Sequence, residues 1–344
     1  MAPRSPYIGG PVFDYVLIIF APLVSLLIGL AIRDTSLTRI DHRLGLPPHL
    51  FAVEVISFAH LFLVFLRSHG RGEIFARHPL RFTVAPILLV ALLSLSLPAL
   101  LVALVLLSWW DQYHQCMQNF GLGRIYDAKA GIASDAFRRH DLVLNVCIYL
   151  GPLIAGSALI DHLVDFENFA LIGMVDLAQL PTRAAKSSFL AHASLATGVL
   201  SAAYVAYYLV AMRRRFNRGE PISREKVMLI LATSTCSIIA WRDNSFSIGI
   251  FITSLYHAVQ YFALVWTTEH RRLLGAMRLP DTAMAKSFLL GVFLAVPLGL
   301  GLLCESHRAV SIANQTTIAL IVSLGLLHFW FDGFVWSVGR RQVA

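Results

Sequence analysis

The chain has 344 residues, 57% of them hydrophobic and only 14% charged, with a formal net charge of +8 at pH 7 and a mean hydropathy of +0.68. A soluble domain carries about a quarter charged residues because its surface must face water, so this composition excludes an ordinary soluble domain and points to a polytopic membrane chain. The positive balance does not indicate nucleic acid, because Lys and Arg sit at the ends of apolar runs and form no basic patch interleaved with aromatics.

Crossing a bilayer core as helix takes about 20 apolar residues. Such runs predict an all-α bundle of about ten transmembrane helices at 12–32, 49–67, 82–97, 99–124, 141–160, 187–212, 225–241, 245–267, 286–304 and 315–338. The first run is too long for a signal-peptide core and has no small-residue cleavage site behind it, so it reads as the first span. Pro98 splits one long apolar stretch into a hairpin. No linker, lipidation motif or low-complexity tract interrupts the chain, so 1–344 reads as one transmembrane domain. Cys116, Cys147, Cys236 and Cys304 form no CxxC pair and read as buried thiols.

Loop charge supports the even count. Arg67, Arg71, Arg77 and Arg81 follow the second run, and Arg124, Lys129, Arg138 and Arg139 the fourth. Arg213, Arg214, Arg215, Arg218, Arg224 and Lys226 follow the sixth, Arg271, Arg272, Arg278 and Lys286 the eighth, and Arg340 and Arg341 the tenth. The intervening loops are poor in Lys and Arg or acidic, as at Asp161, Asp165, Glu167 and Asp176. The positive-inside rule then places both termini in the cytoplasm.

Ionisable groups inside a bilayer are costly and mark function by default. His60, His114, His257 and His328 lie in the second, fourth, eighth and tenth runs. They fall roughly 10–21 Å from the first cytoplasmic arginine at 1.5 Å per residue. Helices sharing one direction therefore put four imidazoles in one layer, the pattern of a metal site. Asp111, His114, Gln115 and Gln118 recur at helical spacing, Gln260 and Tyr261 adjoin His257, and Asp332 follows His328 by one turn. An Asp/His pair at that spacing supplies two ligands, or one ligand and the acceptor that orients it. The metal ligands are expected to be His60, His114, His257, His328 and Asp332, with Asp111, Gln118, Gln260 and Tyr261 in catalytic or orienting roles.

His42, His49, His69, His78, His140, His162, His270 and His307 read as loop residues, and His192 as lying away from the layer. Asp14 reads as a helix cap or the partner of a basic loop residue, and Glu54 lies about 120° around its helix from His60. Gly121 and Gly123 read as close-packing residues, and Arg124 and Lys129 as interfacial anchors or headgroup contacts.

The set Asp14, His60, Tyr113-His114 with Gln118, Tyr256-His257 with Gln260, and His328-x-x-x-Asp332-Gly333-x-x-Trp336 resembles that of uncharacterised multi-pass proteins of the bacterial inner membrane, over most of the chain. More distantly, the chain is similar in size and in its separated histidines to the carotene-cleaving membrane dioxygenases of bacteria and archaea (the Brp/Blh type), whose own motif context it lacks. The HxxxH and HxxHH boxes of membrane desaturases are also missing. The resemblance implies a bacterial cytoplasmic membrane location and iron held by histidines from separate helices. With the residues above, it leads to an expected non-haem iron oxidoreductase, with one or two ions, a lipid-like or isoprenoid substrate and a redox partner at the cytoplasmic face. Haem-based electron transfer and proton-coupled transport by the same His and Asp groups are the alternatives.

Overall fold

The computed structural model describes residues 5–41, 44–133, 137–156, 158–310 and 314–336. His42, Arg340 and Arg341 lie outside the described residues. The described chain is all-α. The first apolar run is not one helix. Pro11–Asp14 passes into a π-helical turn, Tyr15–Ile19, and bends by 50° before α1, Ala21–Ile32. Pro22 has no N–H to return to the Ile18 carbonyl, so that acceptor is left free for another partner.

The remaining long helices are α2 (Pro48–Ser68), α3 (Pro79–Leu95), α4 (Leu97–Lys129), α5 (Arg138–Ala155), α6 (Ser188–Asn217), α7 (Arg224–Arg242), α8 (Phe246–Ala276), α9 (Ala283–Val310) and α10 (Gln315–Val335). Four of them start on a side-chain cap. Ser96, Ser187 and Ser223 accept the backbone N–H three residues on, and Asn314 takes those of Thr316 and Thr317. α3 and α4 meet at Ser96 at 117°, with Pro98 in the first turn of α4. The acidic connection after α5 is itself largely helical, including a 3₁₀ stretch at Val164–Ile172.

Among the described residues, five helices are long and apolar enough to cross a membrane, or up to eight spans if each bent pair counts as one. Large apolar side chains stand exposed along α3, α6 and α9, such as Leu88, Leu95, Leu200, Leu209 and Leu303. In water such a surface would be an aggregation hazard; facing lipid it costs nothing. α2 packs against α8, α9 and α10, while α4 touches α5, α7, α8 and α10. Thus α2, α4, α8 and α10, the histidine carriers, surround one interior. α9 approaches α2 closely at Gly301, where a Cβ would collide with the Val55 carbonyl and lie 2.9 Å from the Ala59 nitrogen.

Several charges assigned above to cytoplasmic loops lie inside the bundle. Arg67 and Glu269 are both wholly buried, 3.3 Å apart, and Glu269 also holds Arg71 at 2.8 Å and Arg272 at 2.8 Å. Arg124 and Lys226 are buried against Asp127 and Asp141, at 2.6–3.0 Å. Arg215 pairs with Glu220 at 2.6 Å. These helices extend past their apolar stretches, so their end segments carry cations back into protein rather than out to water. Arg124 is therefore committed to carboxylates, which corrects the headgroup reading. Gly123 does allow a close approach, with a Cβ 3.3 Å from the Lys226 side chain, whereas Gly121 faces open space.

Two histidines expected in loops are buried instead. His49 bonds the Leu37 carbonyl at 2.9 Å from the first turn of α2, and His162 packs between Trp241 and Phe246. His192, His270 and His307 lie on α6, α8 and α9.

Candidate metal centre

Each of the four central helices brings one imidazole to the same place. His60 lies 5.0 Å from His257 and 4.8 Å from His328, and His114 lies 5.1 Å from His257 and 5.0 Å from His328, measured between ring centroids. The rings meet edge to face, at 76–88°. All four are buried.

Seven of their eight nitrogens, all except His114 Nδ1, have no hydrogen-bond partner. The Ser57 and Leu61 carbonyls approach His60 and His328 without reaching hydrogen-bond geometry. Buried polar atoms are nearly always satisfied, and leaving one bare costs about 1–3 kcal/mol. Seven bare nitrogens on one cluster therefore call for a ligand.

Asp332, one turn beyond His328 on α10, supplies the carboxylate. Its Oδ2 lies 3.6 Å from Nε2 of both His114 and His328. Donor atoms of His114, His328 and Asp332 all lie within 4.8 Å of one another, a buried His/His/Asp cluster able to coordinate a metal ion. The other oxygen, Oδ1, accepts the Tyr261 hydroxyl at 2.8 Å and the Trp336 indole N–H at 3.0 Å. Those two bonds fix the carboxylate so that Oδ2 faces the imidazoles. Arg67 lies over the Trp336 ring at 4.0 Å.

The chain matches no protein family, no curated protein and no solved structure in the comparisons made. The site is therefore read from its own chemistry.

Gln118 and Gln260 hold the helices that carry the rings. Gln118 donates to the His257 carbonyl at 3.0 Å and to Gln260 Oε1 at 3.3 Å. Gln260 donates to the Ile18 carbonyl at 2.8 Å, the acceptor freed by Pro22. This chain of amides ties α4, α8 and the π-helical turn together.

Asp111 lies elsewhere. It accepts the Gln115 amide at 2.7 Å, and Gln115 in turn accepts the Tyr149 hydroxyl at 2.7 Å. At about 100° per residue, the polar face of α4 fans out around the helix, with His114 at the edge toward the imidazoles, Gln115 at the edge toward Tyr149 of α5, and Asp111 and Gln118 between them. Asp14 is buried and reaches back to the N–H groups of Ile8, Gly9 and Gly10 at 2.6–3.2 Å, and Tyr126 donates to it at 3.0 Å. It acts as a cap.

Sequence reasoning assigned no role to Trp336 or Phe329. The i, i+4 spacing from Asp332 to Trp336 was a usable signal. The stacking of Phe329 on His114, 4.6 Å between centroids at 29°, had no signal, because it depends on how α4 meets α10. Beside the cluster lies a cavity of about 430 Å³, walled by α4 and α10 and floored by Tyr261 and Leu264 of α8.

Proposed function

We propose that the protein is an integral-membrane, metal-dependent oxidoreductase with non-haem iron, acting on a lipid-like or isoprenoid substrate. The seven unpartnered imidazole nitrogens carry this reading. Two histidines and a carboxylate form the donor set of non-haem iron(II) oxygenases, which leave coordination positions open. His114, His328 and Asp332 would hold the ion, with His60 and His257 completing its surroundings. This donor chemistry is in keeping with the iron-binding histidines implied by the distant likeness to carotene-cleaving dioxygenases. Iron held there would supply one-electron chemistry and sites for oxygen.

The protein's own groups do the rest. Tyr261 and Trp336 hold Asp332 in register, Gln118 and Gln260 hold the backbone of His257, and the apolar walls keep water from the reacting atoms. The apolar cavity suits a substrate drawn from the bilayer.

Ten spans, with both termini cytoplasmic in a bacterial inner membrane, complete the proposal. The five long apolar helices, the broken first run, α3 and α4 as two arms of a hairpin, α5 and α7 add up to that number. α4 owes its marginal apolarity to Asp111, Gln112, His114, Gln115 and Gln118, only some of which belong to the site. Arg71 and Arg272, at the cytoplasmic end of this topology, would present positive charge to an electron donor. Haem is poorly accommodated, because imidazoles packed edge to face at 4.8–5.1 Å leave no slot for a porphyrin. Transport draws on the break in the first run, but its free carbonyl is already occupied by Gln260.

Elemental analysis of detergent-purified protein tests the proposal. We expect stoichiometric iron in the wild type and none in His114→Ala or His328→Ala. Absence of metal from folded wild-type protein overturns the site, and stoichiometric zinc overturns the oxidoreductase chemistry.

A further inference from the structure

The cavity owes its shape to two helices that pack at one end and separate at the other. Leu100 and Ala103 of α4 share an apolar seam with Ala319, Val322 and Leu326 of α10. Gly325 keeps them close: a Cβ there would fall 2.6 Å from Leu107. The seam ends at Trp110 and Phe329, whose rings stand 6.1 Å apart. Beyond that pair the cavity opens beside His114, Phe329 and Asp332.

Along α4 the lining runs from Trp110 to Ile125, about 22 Å at 1.5 Å per residue. His114 is one turn, about 6 Å, from the Trp110 end and about 16 Å from the Ile125 end. The metal cluster thus sits near the closed end of a long cleft. The cleft is open along its side, where Tyr113 is 51% exposed and Gly333 is exposed. Its lining includes no Lys or Arg among the described residues, and the one charged group is the Asp332 carboxylate. With no metal bound, an anionic group lodged at the closed end would lack a counter-charge and face a like charge.

We infer that the cleft takes an elongated hydrocarbon chain lying lengthwise along α4, its uncharged end against Trp110 and Phe329, so that reaction is confined to positions near that end. The confinement rests on the metalloenzyme reading; binding of the chain does not. Gly121 sets the chain's path. It lines the cleft between His114 and Ile125, and a Cβ there meets nothing within 4 Å. A larger residue at this position starts from an unobstructed Cβ toward the cleft, and its helix propensity exceeds that of glycine.

Photolabelling of the full-length protein in lipid nanodiscs decides the matter. The probe is a neutral hexadecyl methyl ether with a diazirine at its alkyl terminus, and labelled peptides are mapped by mass spectrometry. Label is expected on the segments holding Trp110 and Phe329, reduced about tenfold in Gly121→Leu. In metal-stripped protein hexadecane is expected to compete, and hexadecanedioate, charged at both ends, is not.

Label spread evenly over the lipid-exposed faces of α6 and α9, unchanged labelling in Gly121→Leu, or competition by the dianion in metal-stripped protein overturns the proposal. Metal content and melting temperature of Gly121→Leu verify its fold. Wild-type protein that purifies without metal and still labels at Trp110 sinks the metalloenzyme reading and leaves the cleft assignment standing. Metal-bearing protein that fails to label does the reverse.

Discussion

Individual side chains here are governed by what they face in an interior with little water. Glu269 is the clearest case. It is wholly buried against Arg67, Arg71 and Arg272, so three guanidiniums share its one carboxylate. Removing one member of a buried ion pair costs about 3–5 kcal/mol, because the remaining charge is stranded. Glu269→Gln keeps the shape and removes the charge, so a loss of that size is expected in denaturant unfolding in detergent, together with disturbed packing of Trp336 beneath Arg67. A change below about 1 kcal/mol, the range of exposed pairs, would show the cluster to be solvated. The contrast between Asp111 and Asp332 belongs to the same scale. Both adjoin a histidine by one turn in sequence, yet only Asp332 has donors that turn its free oxygen toward imidazoles.

Helices α2 and α9 meet through a single missing side chain. Gly301 admits the α2 backbone at Val55 and Ala59, the residue next to His60. Close approach of this kind drives helix association where lipid gives no hydrophobic advantage to contact. Gly301→Val forces the helices apart, with an expected loss of about 1–3 kcal/mol, typical of overpacking. Because α2 shifts with His60 on it, metal affinity should fall as well. A melting temperature and metal content equal to wild type would show that the contact is slack.

The whole bundle has a largely apolar core that also encloses the polar cluster, and it presents large apolar side chains on its outside as well. Loop charge sets its proposed orientation, although Arg67, Arg124, Arg215 and Lys226 are neutralised inside and weaken that signal. Cysteine accessibility tests it. Arg218→Cys, between α6 and α7, should react with an impermeant maleimide only from the cytoplasmic side of the membrane, and Glu167→Cys only from the opposite side. Labelling of both from one side would remove the even-span topology.

The sequence by itself determined the long helices and the four histidines, because apolar run length, caps such as Ser96 and Asn314, and helical spacing are local properties. It also placed Gln260 and Tyr261 beside His257. Only the tertiary structure decided which side of α4 faced the imidazoles, that Asp332 and not Asp111 joined them, that Arg67 turned inward, and that α4 and α10 separate to leave a cleft. Directions on one helix differ by tens of degrees, and neighbouring helices alone determine what lies in each direction.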